Sequence, residues 1–142
     1  MTTYSVLFHL EDVSYRIRNV RSLRLWLAQV VSKEGFEIGN INVILCDDNY
    51  LLKLNQEHLK HDTLTDIITF NYNASGVVNG DLFISLDRVR ENAAELKELL
   101  KDELHRVIVH GVLHLCGYKD KSLIDSKLMR EKEDFYLSLR PF

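Results

Sequence analysis

Apolar residues recur along this chain with two spacings, one typical of helices and one typical of β-strands. Before Gly35, five apolar residues follow the spacing that places side chains on one helix face: Leu23, Trp26, Leu27, Val30 and Val31. Glycine readily adopts the left-handed turn that ends many helices, so we expect this helix to stop at Gly35. Residues 4–10 are rich in β-prone side chains and predict a first strand.

Three further β-prone runs predict strands at residues 41–46, 66–72 and 81–86. A stretch that contains Gly and Asn separates the last two runs, and we expect them to be neighbours in one sheet. After the first run, Asp48 or Asn49 can cap a short helix. That helix would direct three leucines inward: Leu51, Leu52 and Leu54.

The C-terminal half of the chain predicts three more helices. Asp87 caps the first, in which four apolar residues keep a helical spacing: Val89, Ala93, Leu96 and Leu100. The second covers residues 102–116 and ends at Gly117, and the S-x-x-D run at residues 122–125 starts the third. Because strands and helices are mixed without strict βαβ alternation, we expect an α+β fold with helices packed on a small sheet, in a single domain that covers residues 1–142.

Composition narrows the class of protein. Of 142 residues, 46% are apolar and 27% are charged, which argues against a disordered chain and a coiled coil. The net charge of −3 disfavours a globally basic nucleic-acid binder and leaves a local basic groove open. The chain has two distant cysteines, no apolar run near the roughly 20 residues that cross a membrane, and no secretory leader pattern. These features predict a cytoplasmic protein.

The candidate chemistry is concentrated around His110 and His114. At four residues apart on a helix, the two rings point within roughly 40° of each other and can bind one metal ion. The helix is apolar on both other sides, which makes it central and largely buried, and buried imidazoles need partners. A shared cation would satisfy both rings; the alternative is that each ring bonds a carbonyl group or a buried water.

Asp120 follows the helix end closely enough to complete a metal site. If Gly117 turns the chain back, two imidazoles and a carboxylate give three protein ligands and leave a fourth position for water, as in catalytic zinc sites. The alternative is an exposed turn acid between two lysines. A zincin peptidase needs glutamate where this chain has Gly111, and Glu103 lies about 10 Å from His110 along the helix, so a peptidase is disfavoured.

Three blocks of the sequence resemble the YbeY family of bacterial metal-dependent endoribonucleases. Residues 110–118 (HGVLHLCGY) are similar to the start of the family signature H-G-x-L-H-L-x-G-Y-D-H. Residues 54–55 (LN) followed by 65–70 (TDIITF) resemble the family's L-N…P-T-D-V-L-S-F, and residues 80–85 (GDLFIS) resemble its G-D-I block. The histidine block is the distinctive one.

The resemblance implies a fold, a cofactor and partners. The implied fold is α+β, with a small mixed sheet, about five helices and a central metal-bearing helix that carries one Zn²⁺ on the signature histidines. The implied function is that of a cytoplasmic endoribonuclease in ribosomal RNA processing, notably 3′-end maturation of 16S rRNA, and in ribosome quality control. The implied partners are ribosomal RNA, the small ribosomal subunit, ribosomal proteins and an assembly GTPase, with no membrane.

The chain departs from the family pattern at two positions that bear on the mechanism. The third signature histidine falls at Asp120, whose carboxylate is a competent zinc ligand, although imidazole and carboxylate also suit other divalent metals. The predicted metal ligands are therefore His110, His114 and Asp120. A family arginine falls at Leu59, and Lys60 and Arg106 are the catalytic candidates that could replace it at a phosphate group; His58 and His61 are further candidates. No general base or acid is identified, since Asp66 and Asp81 are expected to shape strand ends.

Three hypotheses follow. The first is a zinc-dependent RNA hydrolase that acts on a phosphodiester bond. The second is a non-catalytic ribosome assembly factor with a structural metal site, which Leu59 favours because the family arginine is absent. The third, a metallopeptidase, is disfavoured by Gly111.

Overall fold

A four-stranded mixed sheet forms the centre of the computed structural model, which describes residues 4–59 and 64–142. The strands are β1 (Ser5–Leu10), β2 (Glu37–Cys46), β3 (Ile67–Asn71) and β4 (Val77–Ser85), in the spatial order β1-β2-β4-β3. β2 is parallel to both β1 and β4, whereas β3 and β4 are antiparallel neighbours. The expected pairing of the third and fourth strands is confirmed.

Five α-helices lie in the described residues, most of them packed on this sheet and the last packed on the fourth, which confirms the α+β fold. They are α1 (Val20–Lys33), α2 (Asp48–Leu54), α3 (Leu86–Leu96), α4 (Leu100–Leu115) and α5 (Leu123–Ser138). A π-helical turn, Asn55–Leu59, continues α2. In the part of the chain that the structure describes, no helix has the length and apolar character that crossing a bilayer requires.

The predicted buried face of α1 is confirmed. The five apolar residues of this face are at most 2% exposed, whereas Leu25, on the opposite side, is 59% exposed. The chain then turns at Gly35, where φ is +88°, as expected for the glycine after a helix. α1 therefore packs on the sheet through the side chains that its spacing singles out.

Two helix starts differ from the sequence prediction. The cap of α2 is Asp47, whose carboxylate accepts a hydrogen bond from Tyr50 N at 2.8 Å. The cap of α3 is Ser85, whereas the Asp87 carboxylate accepts a hydrogen bond from Asp48 N at 2.9 Å and so joins the two helix starts. Each segment contains more than one side chain that can cap a helix, and tertiary contacts select among them.

The apolar positions of these two helices also differ in part from the prediction. In α2 only Leu51 is buried, because this helix packs on a small apolar cluster of its own with Cys46 and Ile68. α3 ends where Lys97 adopts a left-handed conformation with φ +55°, so Leu100 belongs to the next helix. Leu96, at the end of α3, is 50% exposed.

α4 is the central helix, as expected. It contacts α1, α3, α5, β3 and β4, and ten of its residues are buried. Gly111 lets it approach the sheet closely, since a Cβ at this position would lie 2.6 Å from Ile67 Cδ1. Position 111 thus faces the sheet and leaves no room for the glutamate that a zincin peptidase requires.

The surroundings of His105 on α4 lead us to expect that the free energy of unfolding falls in acid. Its ring packs against Trp26 and Phe142, and its Nδ1 accepts a hydrogen bond from Arg140 at 2.8 Å. Burial, helped by the Arg140 charge, lowers the pKa of His105 from 6.5 to about 4. Below pH 6.5 the unfolded chain therefore binds a proton that the folded protein excludes, and stability falls as pH decreases towards 4.

Between pH 7 and pH 5 we expect this residue to remove about 2 kcal/mol from the free energy of unfolding of the metal-free protein. Urea unfolding at both pH values, compared with His105→Gln, measures the difference. The variant should lose less stability over this range, and an equal loss in both proteins would contradict the assignment.

Candidate metal centre

Three side chains with metal-ligating atoms converge at the C-terminal end of α4. The Nε2 atoms of His110 and His114 are 3.0 Å apart, and Asp120 Oδ2 lies 3.3 Å from the first and 3.4 Å from the second. One ligand atom of each residue lies within 4.8 Å of the others. The structure thus brings the three predicted ligands together.

These separations match the dimensions of a zinc site. With bonds of about 2.0–2.1 Å, a tetrahedral zinc ion holds its ligand atoms roughly 3.3–3.4 Å apart. The three measured separations lie close to that range. A divalent ion therefore fits among the three atoms with little rearrangement.

The end of α4 explains why Asp120 returns towards the two rings. Gly117 takes a φ of +106°. Its N–H donates to His114 O and the N–H of Tyr118 donates to Leu113 O, both at 3.0 Å, which is the hydrogen-bond pattern of a Schellman helix end. The Asp120 carbonyl then accepts a hydrogen bond from Ser126 Oγ at 2.9 Å, which fixes the loop to α5.

Each histidine has a second partner that fixes the orientation of its ring. His110 Nδ1 lies 2.6 Å from Glu133 Oε2, and His114 Nδ1 lies 2.9 Å from the carbonyl oxygen of Tyr118. Because carboxylate and carbonyl oxygens only accept hydrogen bonds, both Nδ1 atoms must donate, and a neutral ring then keeps its lone pair on Nε2. The carbonyl contact expected for the metal-free alternative exists at His114, but it leaves Nε2 available.

Three atoms that attract a positive charge thus face one another. Two Nε2 lone pairs and the Asp120 carboxylate, which is 42% exposed, share one small volume. Burial disfavours a charge on His110, but the neighbouring carboxylates of Glu133, Asp66 and Asp120 together outweigh this effect and raise the pKa of the ring. A shared cation would remove the repulsion among the three acceptors, and this fit is the main structural argument for a metal.

Glu133 is a site residue that the sequence analysis missed. Its side chain is 5% exposed, and its second oxygen accepts a hydrogen bond from Arg106 Nη1 at 2.9 Å. It occupies the buried face of α5, between Met129 and Tyr136. A carboxylate at the i+4 position of an otherwise apolar face is the pattern that could have revealed it.

Glu34 is a second residue without a sequence prediction. It lies at the C-terminal end of α1 and accepts hydrogen bonds from the hydroxyl of Tyr118, at 2.6 Å, and from the hydroxyl of Tyr136. Lys132 Nζ lies 3.4 Å from the same carboxylate. Glu34 therefore holds the residue whose carbonyl group orients His114.

The catalytic candidates have different surroundings. Arg106 is bound by Glu133 and, at 2.7 Å, by Asp134, so its guanidinium already pairs with two carboxylates. Lys60 and His61 lie outside the described residues. The exposed His58 contacts Phe70 edge-on. Of the candidates within the described residues, Arg106 is linked to the candidate metal centre, through the Glu133 carboxylate that also binds His110.

The two acids from the strand blocks lie in different environments. Asp81 on β4 accepts a hydrogen bond from Asn42 of β2 at 3.0 Å, in agreement with a role in the sheet. Asp66 precedes β3, and its carbonyl group accepts a hydrogen bond from Ser85 N at 2.9 Å. Its side chain also borders a cavity beside His110 and Asp120, and burial raises its pKa.

Comparison with known proteins finds the same similarity along nearly the whole chain. The family model described as endoribonuclease YbeY matches residues 9–139. A protein from Porphyromonas gingivalis, named endoribonuclease YbeY, is 54% identical over 128 residues, which are 89% of this chain and 84% of the relative. A protein of the same name from Cytophaga hutchinsonii is 48% identical over 143 residues, with both chains fully covered.

A solved structure has the same fold. The solution structure of TM1509 from Thermotoga maritima superposes with a TM-score of 0.63 and 28% sequence identity. The match covers 94% of this chain and 87% of that chain.

Proposed function

Because the chain belongs to the endoribonuclease YbeY family, we propose that it cleaves ribosomal RNA with one Zn²⁺ ion held by His110, His114 and Asp120. As an endoribonuclease it is a hydrolase of phosphodiester bonds. The observation that carries the metal assignment is the convergence of two oriented Nε2 atoms and one carboxylate oxygen at separations of 3.0–3.4 Å.

The residues of the chain divide the work of such a site. His110 and His114 bind the ion through Nε2, and Asp120 supplies the third ligand from an exposed loop, where an RNA strand can reach it. A zinc ion held by these three residues would supply Lewis-acid stabilisation of the charge that develops on the phosphodiester. Glu133 and the Tyr118 carbonyl group accept hydrogen bonds from the Nδ1–H groups of the two rings and so keep each ring in the tautomer whose Nε2 can bind the ion.

We further propose the cellular role that the family resemblance implies. The substrate would be the 3′ end of 16S rRNA, with a second role in ribosome quality control in the cytoplasm. The small ribosomal subunit, ribosomal proteins and an assembly GTPase are the proposed partners. Because ribosomal RNA contains many phosphodiester bonds, the protein surface around the candidate metal centre has to select the bond that is cleaved.

The test of this function uses purified protein and single-stranded RNA. Cleavage should require metal, stop with a chelator, and be lost in His114→Ala. Metal analysis of the same samples should find one zinc per wild-type chain. Unchanged cleavage by His114→Ala would assign the activity to a contaminant.

A local basic surface next to Asp120 supports binding of RNA by an acidic protein. Lys119, Lys121 and Lys127 are all exposed in the loop after α4 and the first turns of α5. Replacing all three with alanine should weaken RNA binding. It should also make the slope of the logarithm of the binding constant against the logarithm of the salt concentration shallower by about 2, because each phosphate contact on a single strand contributes roughly 0.7.

Fluorescence anisotropy with the cleavage-deficient His114→Ala protein measures this change in slope. The salt concentration is varied from about 50 to about 200 mM, a range over which such slopes are resolved. The control replaces three exposed lysines on other elements: Lys33, Lys53 and Lys97. Equal slopes in the two triple variants would show that the loop does not hold the RNA backbone.

A non-catalytic assembly factor is the second candidate function. Leu59 stands in place of the family arginine, and Arg106 is paired with Glu133 and Asp134 rather than free for a phosphate. This candidate predicts normal zinc content and tight binding to the small subunit without RNA cleavage. The same cleavage assay therefore separates the two functions.

A further inference from the structure

A cavity of about 400 Å³ lies beside the metal centre and has no assigned role. His110 and Asp120 form part of its lining, and Val107 and Met129, both at most 3% exposed, supply apolar surface. Its volume is in the range of small-molecule sites and suffices for one base with its ribose. A substrate seated on the metal centre would thus have this cavity next to it.

Glu103 lines the same cavity, and its carboxyl group has no hydrogen-bond partner among the residues that the structure describes. The residue is 5% exposed, and its Oε1 atom is fully buried without a hydrogen bond. The other oxygen, Oε2, is not fully buried, and it too has no hydrogen bond among the described residues. Since polar groups in such surroundings are almost always paired, an unpaired carboxyl group beside a cavity indicates a missing donor. Glu133, which lines the cavity too, shows the contrast, because both of its oxygens are bound.

The charge of the lining determines which part of an RNA strand can enter. Five carboxyl groups and two guanidinium groups border the cavity, and both guanidinium groups contact Glu133. A phosphate would meet an excess of negative charge, whereas a neutral group that donates hydrogen bonds would be favoured. Among the residues that the structure describes, only the ligand set of His110, His114 and Asp120 gathers three metal-ligating groups, so a second ion is not indicated.

We propose that this cavity is a nucleobase subsite, in which the Glu103 carboxyl group accepts a hydrogen bond from the exocyclic amino group of adenine, cytosine or guanine. The proposal rests on the function proposed above, since it places the cleaved phosphodiester on the metal centre. Glu103 precedes His110 by seven residues, about 10 Å along α4, so the two can contact opposite ends of one nucleotide. Uracil has no exocyclic amino group, and its single donor on the pairing edge, N3–H, lies between two carbonyl oxygens that would repel the carboxyl oxygens of Glu103. Uracil is therefore the base that this subsite disfavours.

The first experiment measures cleavage of oligouridylate that contains one internal adenosine, cytidine or guanosine. The holoenzyme should cleave next to at least one of these nucleotides about tenfold faster than at uridine. Glu103→Leu should lose this preference, whereas Glu103→Gln should keep it, because the carboxamide oxygen also accepts hydrogen bonds. Glu98→Gln removes a nearby carboxylate outside the cavity and should behave as wild type.

The second experiment does not need cleavage and so separates this proposal from the proposed function. NMR of the Met129 methyl group in the zinc-loaded protein reports on the cavity wall when adenosine, cytidine, guanosine or uridine is added. A shift with an amino-bearing nucleoside, absent in Glu103→Leu, supports the subsite even if no RNA is cleaved. Equal cleavage at all four bases, a preference that survives Glu103→Leu, or no selective shift in a folded protein would overturn it.

Discussion

Replacement of Asp120 by alanine is expected to lower the affinity of the protein for Zn²⁺ by more than about 100-fold, since loss of an outer partner alone costs 10- to 100-fold. Asp120 Oδ2 is the third atom of the ligand set, and no other carboxylate in the described residues joins His110 and His114 in a group of three ligands. With two ligands left, the ion would also exchange rapidly with chelators. Competition with a chromophoric chelator measures the affinity, and RNA cleavage should fall in parallel.

Two further variants sharpen this test. Asp120→His restores the three-histidine set that the family signature implies and should retain one zinc per chain. Asp125→Asn removes a carboxylate from the first turn of α5, outside the ligand set, and should leave the affinity unchanged. Wild-type affinity in Asp120→Ala would remove Asp120 from the ligands and leave the site with two histidines.

Glu133→Gln is expected to weaken zinc binding about 10- to 100-fold. The Glu133 carboxylate accepts the Nδ1–H of His110 at 2.6 Å, which fixes the tautomer and makes the ring a stronger ligand. Glutamine keeps an acceptor oxygen but loses the charge. The proton resonance of His110 Nδ1–H should therefore move towards the position of an ordinary hydrogen bond, while the fold is retained.

Asp134→Asn is the matched control for this variant. Asp134 neighbours Glu133 in the sequence and binds the same guanidinium of Arg106, but its side chain is 59% exposed and, within the described part of the chain, forms no hydrogen bond or ion pair with a histidine. Its replacement should leave zinc affinity and the His110 resonance unchanged. Equal losses in both variants would show that the effect passes through Arg106 rather than through the bond to His110.

Local rules predicted the helix that carries the two candidate metal ligands, and they predicted its end. The spacing of His110 and His114, and the ability of Gly117 to take a positive φ, follow from the geometry of a single helix and its C-terminal turn. Both can be recognised from neighbouring residues alone. The buried face of α1 was predicted correctly for the same reason, since the five side chains that form this face belong to one helix.

Contacts between distant segments were not predictable in this way. Glu133 follows His110 by 23 residues, and Glu34 precedes Tyr118 by 84 residues. Which carboxylate meets which partner depends on how α1, α4 and α5 pack together, and no local spacing contains that information. Leu96 and Leu100 show a related limit of local patterns. Their spacing of four residues is typical of one continuous helix, but the chain breaks at Lys97 and the two leucines lie on different helices.

The hydrogen bond between Glu34 and Tyr118 has a consequence for the lifetime of the protein in the cell. It ties Tyr118, whose carbonyl group orients the His114 ring, to the C-terminal end of α1, while Glu133 of α5 orients the His110 ring. An ion bound by the two rings would thus strengthen the docking of three helices, by an amount that rises with its free concentration. Zinc starvation would loosen these helices and offer the chain to proteases, so metal supply would govern the abundance of this enzyme as well as its activity.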